Sequence, residues 1–377
     1  MQSGAKNLLT TQLRLDTLDK KDTTILKALA ILAIVFHNFF HIAVKVRENE
    51  FDFSPDRFGV FLQTVVHPSL AIQALFAFYG HYGVQIFIFL SAYGLAKAHW
   101  DDPSPWHSFM GSRVQKLYPM FILAVVFWAL LVLIHFGNFD PIRTEAPGLI
   151  LMLAGVSTIA PGLGLPPVGP WWFIPFILQA YALFPILRSV TRRFGWPALV
   201  VLSLACYYIT HVANPHLAHW SINLSMTPIG RMRILCFGII AARYPFRIRY
   251  YMALPAFALF LLGSRYFSFA HFSSLSSLVI VLWVYTKLRP VLRNSLSLEK
   301  IGNYSLAIFL INGIVRVPFL YYANTPAMQL ALGAASAAVT IAISSFFHYL
   351  LGPSRRPAAD IAAPALWSAE PARTGSD

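Results

Sequence analysis

A chain of 377 residues that is 57% hydrophobic and only 12% charged, with a mean hydropathy of +0.60, has the make-up of an integral membrane protein and not of a soluble enzyme. Its formal net charge of +14 would suggest nucleic acid in a soluble protein. In a membrane chain it records where lysine and arginine sit relative to the bilayer, so no nucleic-acid partner is expected.

Residues 1–24 are polar and read as a cytoplasmic N-terminal segment, with no cleavable signal before the first apolar run. A spanning helix needs about 20 mostly apolar residues, with shorter ones allowed by tilt or local thinning of the bilayer. Ten runs meet that need, centred on 25–43, 81–99, 117–136, 171–187, 196–213, 231–243, 250–263, 272–287, 302–321 and 328–350. The apolar runs at 58–79 and 148–160 are broken by His67, Pro68 and Gln73, and by the glycines and prolines of PGLGLPPVGP. They read as interfacial or re-entrant pieces. The expected architecture is an all-α polytopic membrane protein of about ten transmembrane helices, with a transmembrane domain over 25–351 and a disordered cytoplasmic tail over 352–377 rich in Pro, Ala and Ser. With the N-terminus inside, 21 of the 29 lysines and arginines fall on the cytoplasmic side, as the insertion bias favours. Both termini are then cytoplasmic, and the acidic loop Glu48, Glu50, Asp52, Asp56 lies outside. Cys206 and Cys236 sit in apolar runs and form neither a CxxC pair nor a disulfide framework.

Polar residues inside these apolar helices are the candidates for function, because burying them costs free energy unless they find partners. The first span, KALAILAIVFHNFFH, carries Lys27 at its start and His37, Asn38 and His41 beyond. His37 lies about 15 Å along the axis from Lys27, and His37 and His41 share a face at one-turn spacing. Histidine titrates near neutral pH, so His37 suits a general base. HNFFH lacks the glutamate of HExxH and has no third ligand at a suitable spacing, so no metal is expected. GVQIFIFLSAYGL carries Gln85 and Ser91, and FMGSRVQKLYPMF sets Arg113 and Lys116 one turn apart before a span. Arginine suits phosphate, and the cytoplasmic loop rule alone also explains the pair. GPWWFIPFILQAYALFP opens with Trp171 and Trp172 at an interface and continues with Gln179 and Tyr181, while EKIGNYSLAIFLIN ends in Asn312. His211, His216, His219 and Trp220 share the outer loop before Arg231 and are candidates for acceptor contact, with a solvated loop the simpler reading. No phosphate loop and no G-x-S-x-G elbow is present, which argues against a nucleotidase or an ordinary serine hydrolase.

Taken together and in this order, these stretches resemble the integral membrane acyltransferases of acyltransferase family 3, over roughly Leu26 to Asn312. The resemblance implies transfer of an acyl group, commonly acetyl, from cytoplasmic acyl-coenzyme A to a hydroxyl of an extracytoplasmic or lipid-linked glycan, in a multi-pass protein of the bacterial inner membrane. Acyl-coenzyme A is a co-substrate, and no resident cofactor is implied. His37 matches the first-span histidine, Lys27 its basic partner and Arg113 the basic start of the next span. Lys27 stands one residue closer to His37 than is usual in the family, Ala92 replaces a glycine, and Asn312 stands where many members have histidine. The expected roles follow. His37 is the catalytic base, and Asn38, His41 or Asn312 orients it or stabilises the oxyanion. Lys27, Ser91, Arg113 and Lys116 bind the acyl donor, and Trp171, Trp172, Gln179 and Tyr181 meet the acceptor. Direct attack and an acyl-histidine relay both fit. The rival class is a transporter or translocator of a glycan or glycolipid, to which many spans with polar mid-membrane residues are also suited.

Overall fold

The computed structural model describes residues 14–102, 104–160 and 166–352. The first thirteen residues and all of the tail beyond Gly352 lie outside the described residues, and with them most of the disordered-tail expectation. Among the described residues the regular elements are all helical: α1 (Lys20–Ala43), α2 (Pro55–Val65), α3 (Ala71–Tyr79), α4 (Gly83–Ala98), α5 (Trp106–Phe136), α6 (Asp140–Leu153), α7 (Phe173–Leu217), α8 (Met232–Arg243), α9 (Tyr250–Arg265), α10 (Phe267–Leu292), α11 (Leu296–Asn303), α12 (Ser305–Tyr321) and α13 (Pro326–Leu351).

Every one of the ten expected positions is helical, but the spans are not ten by length and composition. Among the described residues six helical stretches are long and apolar enough to cross a membrane, or seven when α11 and α12, bent by 76° at Tyr304, count as one. Two differences explain the gap. Helices α8 and α9 have 12 and 16 residues, short of the usual span. Helix α7 runs for 45 residues, about 67 Å if straight and twice a bilayer core, yet Gly195 at φ 74° breaks it into two arms. A further correction concerns the run at 58–79. Its second half, α3, continues through the turn Gly80–Tyr82 into α4 and makes one apolar stretch, Ala71–Ala98. The other interfacial candidate forms α6 and a short 3-10 turn, Ser157–Ile159.

Helix α1 is the axis of the bundle, packed against α3, α4, α11, α12 and α13. Its start is fixed twice over. Asp19 and Asp22 form a capping box, with Asp22 N–H donating to Asp19 Oδ1 at 2.9 Å and Asp19 N–H to Asp22 Oδ2 at 3.1 Å. The same Asp22 carboxylate, fully buried, accepts from Arg289 Nε at 2.8 Å, Arg293 at 3.0 Å and the Tyr285 hydroxyl at 2.8 Å. A buried carboxylate is tolerated when its lone pairs are this fully used, and the pairing ties α1 to α10. Lys97 donates to Asp16 O at 2.6 Å and Arg188 to His99 O at 2.7 Å, so the basic residues at the start of α1, the end of α4 and mid-α7 gather at one end of the bundle.

The outside of the bundle is apolar where lipid belongs. Ile122, Val126, Leu130 and Ile134 recur every four residues along α5 and are all exposed. A stripe of that kind on a membrane helix is a lipid face. Cys206 and Cys236 are both buried and free.

Candidate active site

His37 sits in the wall between α1 and the α3–α4 turn. Glycines allow that approach: a Cβ on Gly80 would lie 2.6 Å from Ala33 O and 2.7 Å from His37 Cβ, and one on Gly83 would lie 2.5 Å from Ala30 O. The His37 ring is buried, and its Nδ1 lies 3.0 Å from Ala77 O and 3.2 Å from Phe76 O. A carbonyl only accepts, so Nδ1 carries the proton and Nε2 is left with its lone pair. That is the tautomer of a general base. The His41 ring stacks on it at 5.1 Å between centroids, with Nδ1–H donating to His37 O at 3.2 Å. His81 meets His37 edge-on at 5.5 Å.

The two asparagines do a different job from orienting the ring. Asn38 Nδ2 donates to Asn312 Oδ1 at 2.7 Å, and Asn312 Nδ2 donates to Phe309 O at 2.6 Å and Ile308 O at 3.1 Å. They bolt α1 to α12 through a buried amide pair, while backbone carbonyls of α3 hold the imidazole. Arg316, one turn beyond Asn312, donates to Asn38 O. Neither Arg316 nor His81 was singled out from the sequence. The visible signal for Arg316 was an arginine four residues after a buried asparagine in LINGIVRVPF.

Toward the basic end, Lys27, Ser91, Arg113 and Lys116 line one cavity of about 210 Å³, closed by Phe87, Phe173, Phe309 and Tyr181. The four residues expected to bind the donor come from α1, α4 and α5 and meet here. Arg113 is held by a relay. Its Nη2 donates to His99 Nε2 at 3.1 Å, and His99 Nδ1–H donates to Asp102 Oδ2 at 2.7 Å. Hydrogen bonds from Ser104, then His99, hold the Asp102 carboxyl down to about 2. The guanidinium also lies over Phe109 at 5.5 Å. This geometry fixes a cation at the cavity rim, where it can meet phosphate oxygens. Ser91 Oγ–H bonds to Phe87 O at 2.8 Å, within its own helix.

The residues expected to meet the acceptor are not brought together. Trp171 is fully buried, and its indole N–H donates to Leu310 O at 2.7 Å, so its ring has no face free for a sugar. Trp172 packs edge-on against Phe51 at 5.1 Å and is nearly as buried. Gln179 Nε2 donates to Gly155 O and Thr158 Oγ1, tying α7 to the segment after α6. Tyr181 belongs to the basic cavity. The expectation of paired interfacial tryptophans fails because the α7 N-terminus is wedged between α5 and α12, where the indole completes the packing against Phe121 at 5.4 Å. A wider cavity of about 470 Å³ lies on the other side of His81, lined by residues of the Glu50 loop, α4, α7, α8 and α10. It includes His211 but neither tryptophan.

In the wall of that cavity Arg231 and Glu50 form a buried ion pair at 3.1 Å, flanked by Phe51 and Trp172. Burial pushes the Glu50 carboxyl up to about 7, against the pull of Arg231. Among the described residues no group of three or more His, Cys, Asp or Glu is arranged to hold a metal ion.

The family model for the acyltransferase 3 group, described as an acyltransferase domain, matches residues 21–349. The chain belongs to acyltransferase family 3. That decides between the two classes left open by the sequence in favour of an acyltransferase over a translocator. No curated protein and no solved structure matches the chain. This acyltransferase is all-helical, and its apolar helices make it a multi-pass membrane protein.

Proposed function

We propose that this acyltransferase moves an acetyl group from acetyl-coenzyme A to a hydroxyl of an extracytoplasmic or lipid-linked glycan, with His37 as the base. One observation carries the reading: Lys27, Ser91, Arg113 and Lys116 line a single cavity at the basic end of the helix that also carries His37. The cations suit the phosphates of coenzyme A, and the aromatic wall suits its pantetheine arm. His37 lies about 15 Å further along α1, at 1.5 Å per residue, in the direction that the arm would extend.

In the reaction, His37 Nε2 takes the acceptor hydroxyl proton as the oxygen attacks the thioester carbonyl. The C–O bond forms, the tetrahedral oxyanion collapses, and the C–S bond breaks. The coenzyme A thiolate then takes the proton back from the imidazolium. Arg316, which donates to Asn38 O beside His37, and His81, edge-on to the His37 ring, would share the stabilisation of the oxyanion. The reading places both termini in the cytoplasm of a bacterial cell, ten membrane passages in the inner membrane, and the basic cavity on the cytoplasmic side. The two arms of α7 and the short helices α8 and α9 supply the passages beyond the seven counted by length.

The test uses purified protein in lipid with acetyl-coenzyme A labelled in the acetyl group and the surface-glycan fraction of the source cell. Label is expected in the glycan, as an ester released by mild base. Binding of donor without any transfer to glycan, or label recovered only as amide, would overturn the glycan O-acetylation reading.

A further inference from the structure

The wider cavity beside His81 has a wall whose polar groups lack partners. Gln85 is completely buried, yet neither its amide nitrogen nor its oxygen is hydrogen-bonded. The same holds for His81 Nδ1, Asn49 Nδ2 and His271 Nε2, and all four residues line the cavity. Each buried polar atom left unpaired costs about 1–3 kcal/mol. Such a wall, mixing donors and acceptors, is matched by a ligand that carries several hydroxyls.

Charge narrows the ligand further. Two arginines reach the cavity, and they are not alike. Arg231 is answered by Glu50. Arg233 bonds only neutral groups, Gly230 O at 3.1 Å and Ser274 Oγ at 3.2 Å, and its Nε is buried and unpartnered. No carboxylate among the described residues pairs with it. The remaining acid on the wall, Asp52, is taken by Arg57 at 2.5 Å. A half-buried guanidinium without a counter-ion is costly, and an anion supplies one.

The geometry points to an anionic sugar as the occupant of this cavity: a saccharide unit whose carboxylate or phosphate meets Arg233 and His271, and whose hydroxyls meet Gln85, Asn49 and His81. The inference rests on the reading of this protein as a glycan acyltransferase and deepens it, since it names the chemical class of the acceptor. The His81 ring lines this cavity and meets the His37 ring edge-on at 5.5 Å, so the cavity and the proposed base stand on either side of one side chain.

The full-length protein in nanodiscs is titrated calorimetrically with cellobiouronic acid, cellobiose 1-phosphate, cellobiose and inorganic phosphate, alongside coenzyme A. At least one acidic disaccharide is expected to bind ten-fold or more tightly than cellobiose. That preference should vanish in Arg233→Gln and return largely in Arg233→Lys, and comparison of the two acids shows which acid group the site takes. Equal binding of acidic and neutral disaccharides by the wild type would overturn the inference without recourse to any variant. So would an undiminished preference in a folded Arg233→Gln, inorganic phosphate binding as tightly as the acidic sugars, or no binding of any sugar. Coenzyme A separates the two levels. If it binds while the acid preference is missing, only this inference falls. If coenzyme A binding is missing as well, the acyltransferase arrangement beneath it falls.

Discussion

The surroundings of His37 and the wall of the wider cavity are both polar regions in an apolar bundle, but they spend their hydrogen bonds differently. Around His37 the groups are matched: two carbonyls accept from the imidazole N–H, Asn38 donates to Asn312, and Arg316 donates to a main-chain oxygen. In the wide cavity Gln85, His81 and Arg233 hold unpaired atoms. The first region is built to keep one side chain in one tautomer. The second is built to receive something. Preorganisation and receptivity are separated by a single ring, His81.

The sharpest way to break this contrast is to remove the proposed base and keep its frame. His37→Gln retains a side-chain N–H that can donate to Ala77 O, and it lacks a basic nitrogen. Acetyl transfer is expected to fall about 10²–10⁴-fold, the usual contribution of a positioned acid–base group, with thermal unfolding unchanged. A variant within three-fold of wild-type rate would return His37 to a packing role.

Arg113→Ala comes next. Loss of a charge-assisted contact of about 1.5–3 kcal/mol corresponds to donor binding weaker by about 10–100-fold, read by titration with coenzyme A. Arg113→Lys should recover only part, since a point charge cannot copy the fork. An unaltered affinity would mean that Arg113 merely anchors the helix end.

A smaller effect is expected on stability at the asparagine pair. Asn312→Ala removes the partner of a buried Asn38 amide and should lower stability by about 1–3 kcal/mol, measured by denaturant unfolding in mixed micelles. Asn38→Ala combined with it should cost less than the sum of the single losses, since each deletes the same bond.

The smallest is a pH dependence. Glu50 has its carboxyl raised from 4.5 to about 7 in the folded protein. The folded state therefore holds that proton more tightly than the unfolded chain. The resulting stabilisation is fully present below about 4.5 and is lost as pH rises through about 7. Glu50→Gln should flatten that part of the stability-against-pH curve, which differential scanning fluorimetry across the range would detect. An unchanged slope would exclude Glu50 as its source.

Much of this was legible in the sequence, and the reasons are specific. Apolar run length located helices at all ten expected positions, because backbone hydrogen bonds in lipid leave few alternatives to a helix. It did not settle the span count, since α8 and α9 are short and a single residue, Gly195, turns α7. Lys27, Ser91, Arg113 and Lys116 could be grouped because a polar residue in an apolar helix stands out by itself. Trp171 was misjudged for the opposite reason. An indole is at home both at an interface and in a core, and only the packing against α12 distinguishes the two. The wide cavity was hidden because its polar groups come from five separate segments, including the Glu50 loop, and no local pattern joins them.

The most direct test of the account is donor binding by His37→Gln, measured with labelled acetyl-coenzyme A on the same preparation that is assayed for transfer. Binding at wild-type strength with transfer abolished is the predicted result, since the proposal holds the donor at Lys27 and Arg113 and assigns the chemistry to His37. Binding lost in step with transfer, or transfer that survives, would contradict the separation of the two tasks.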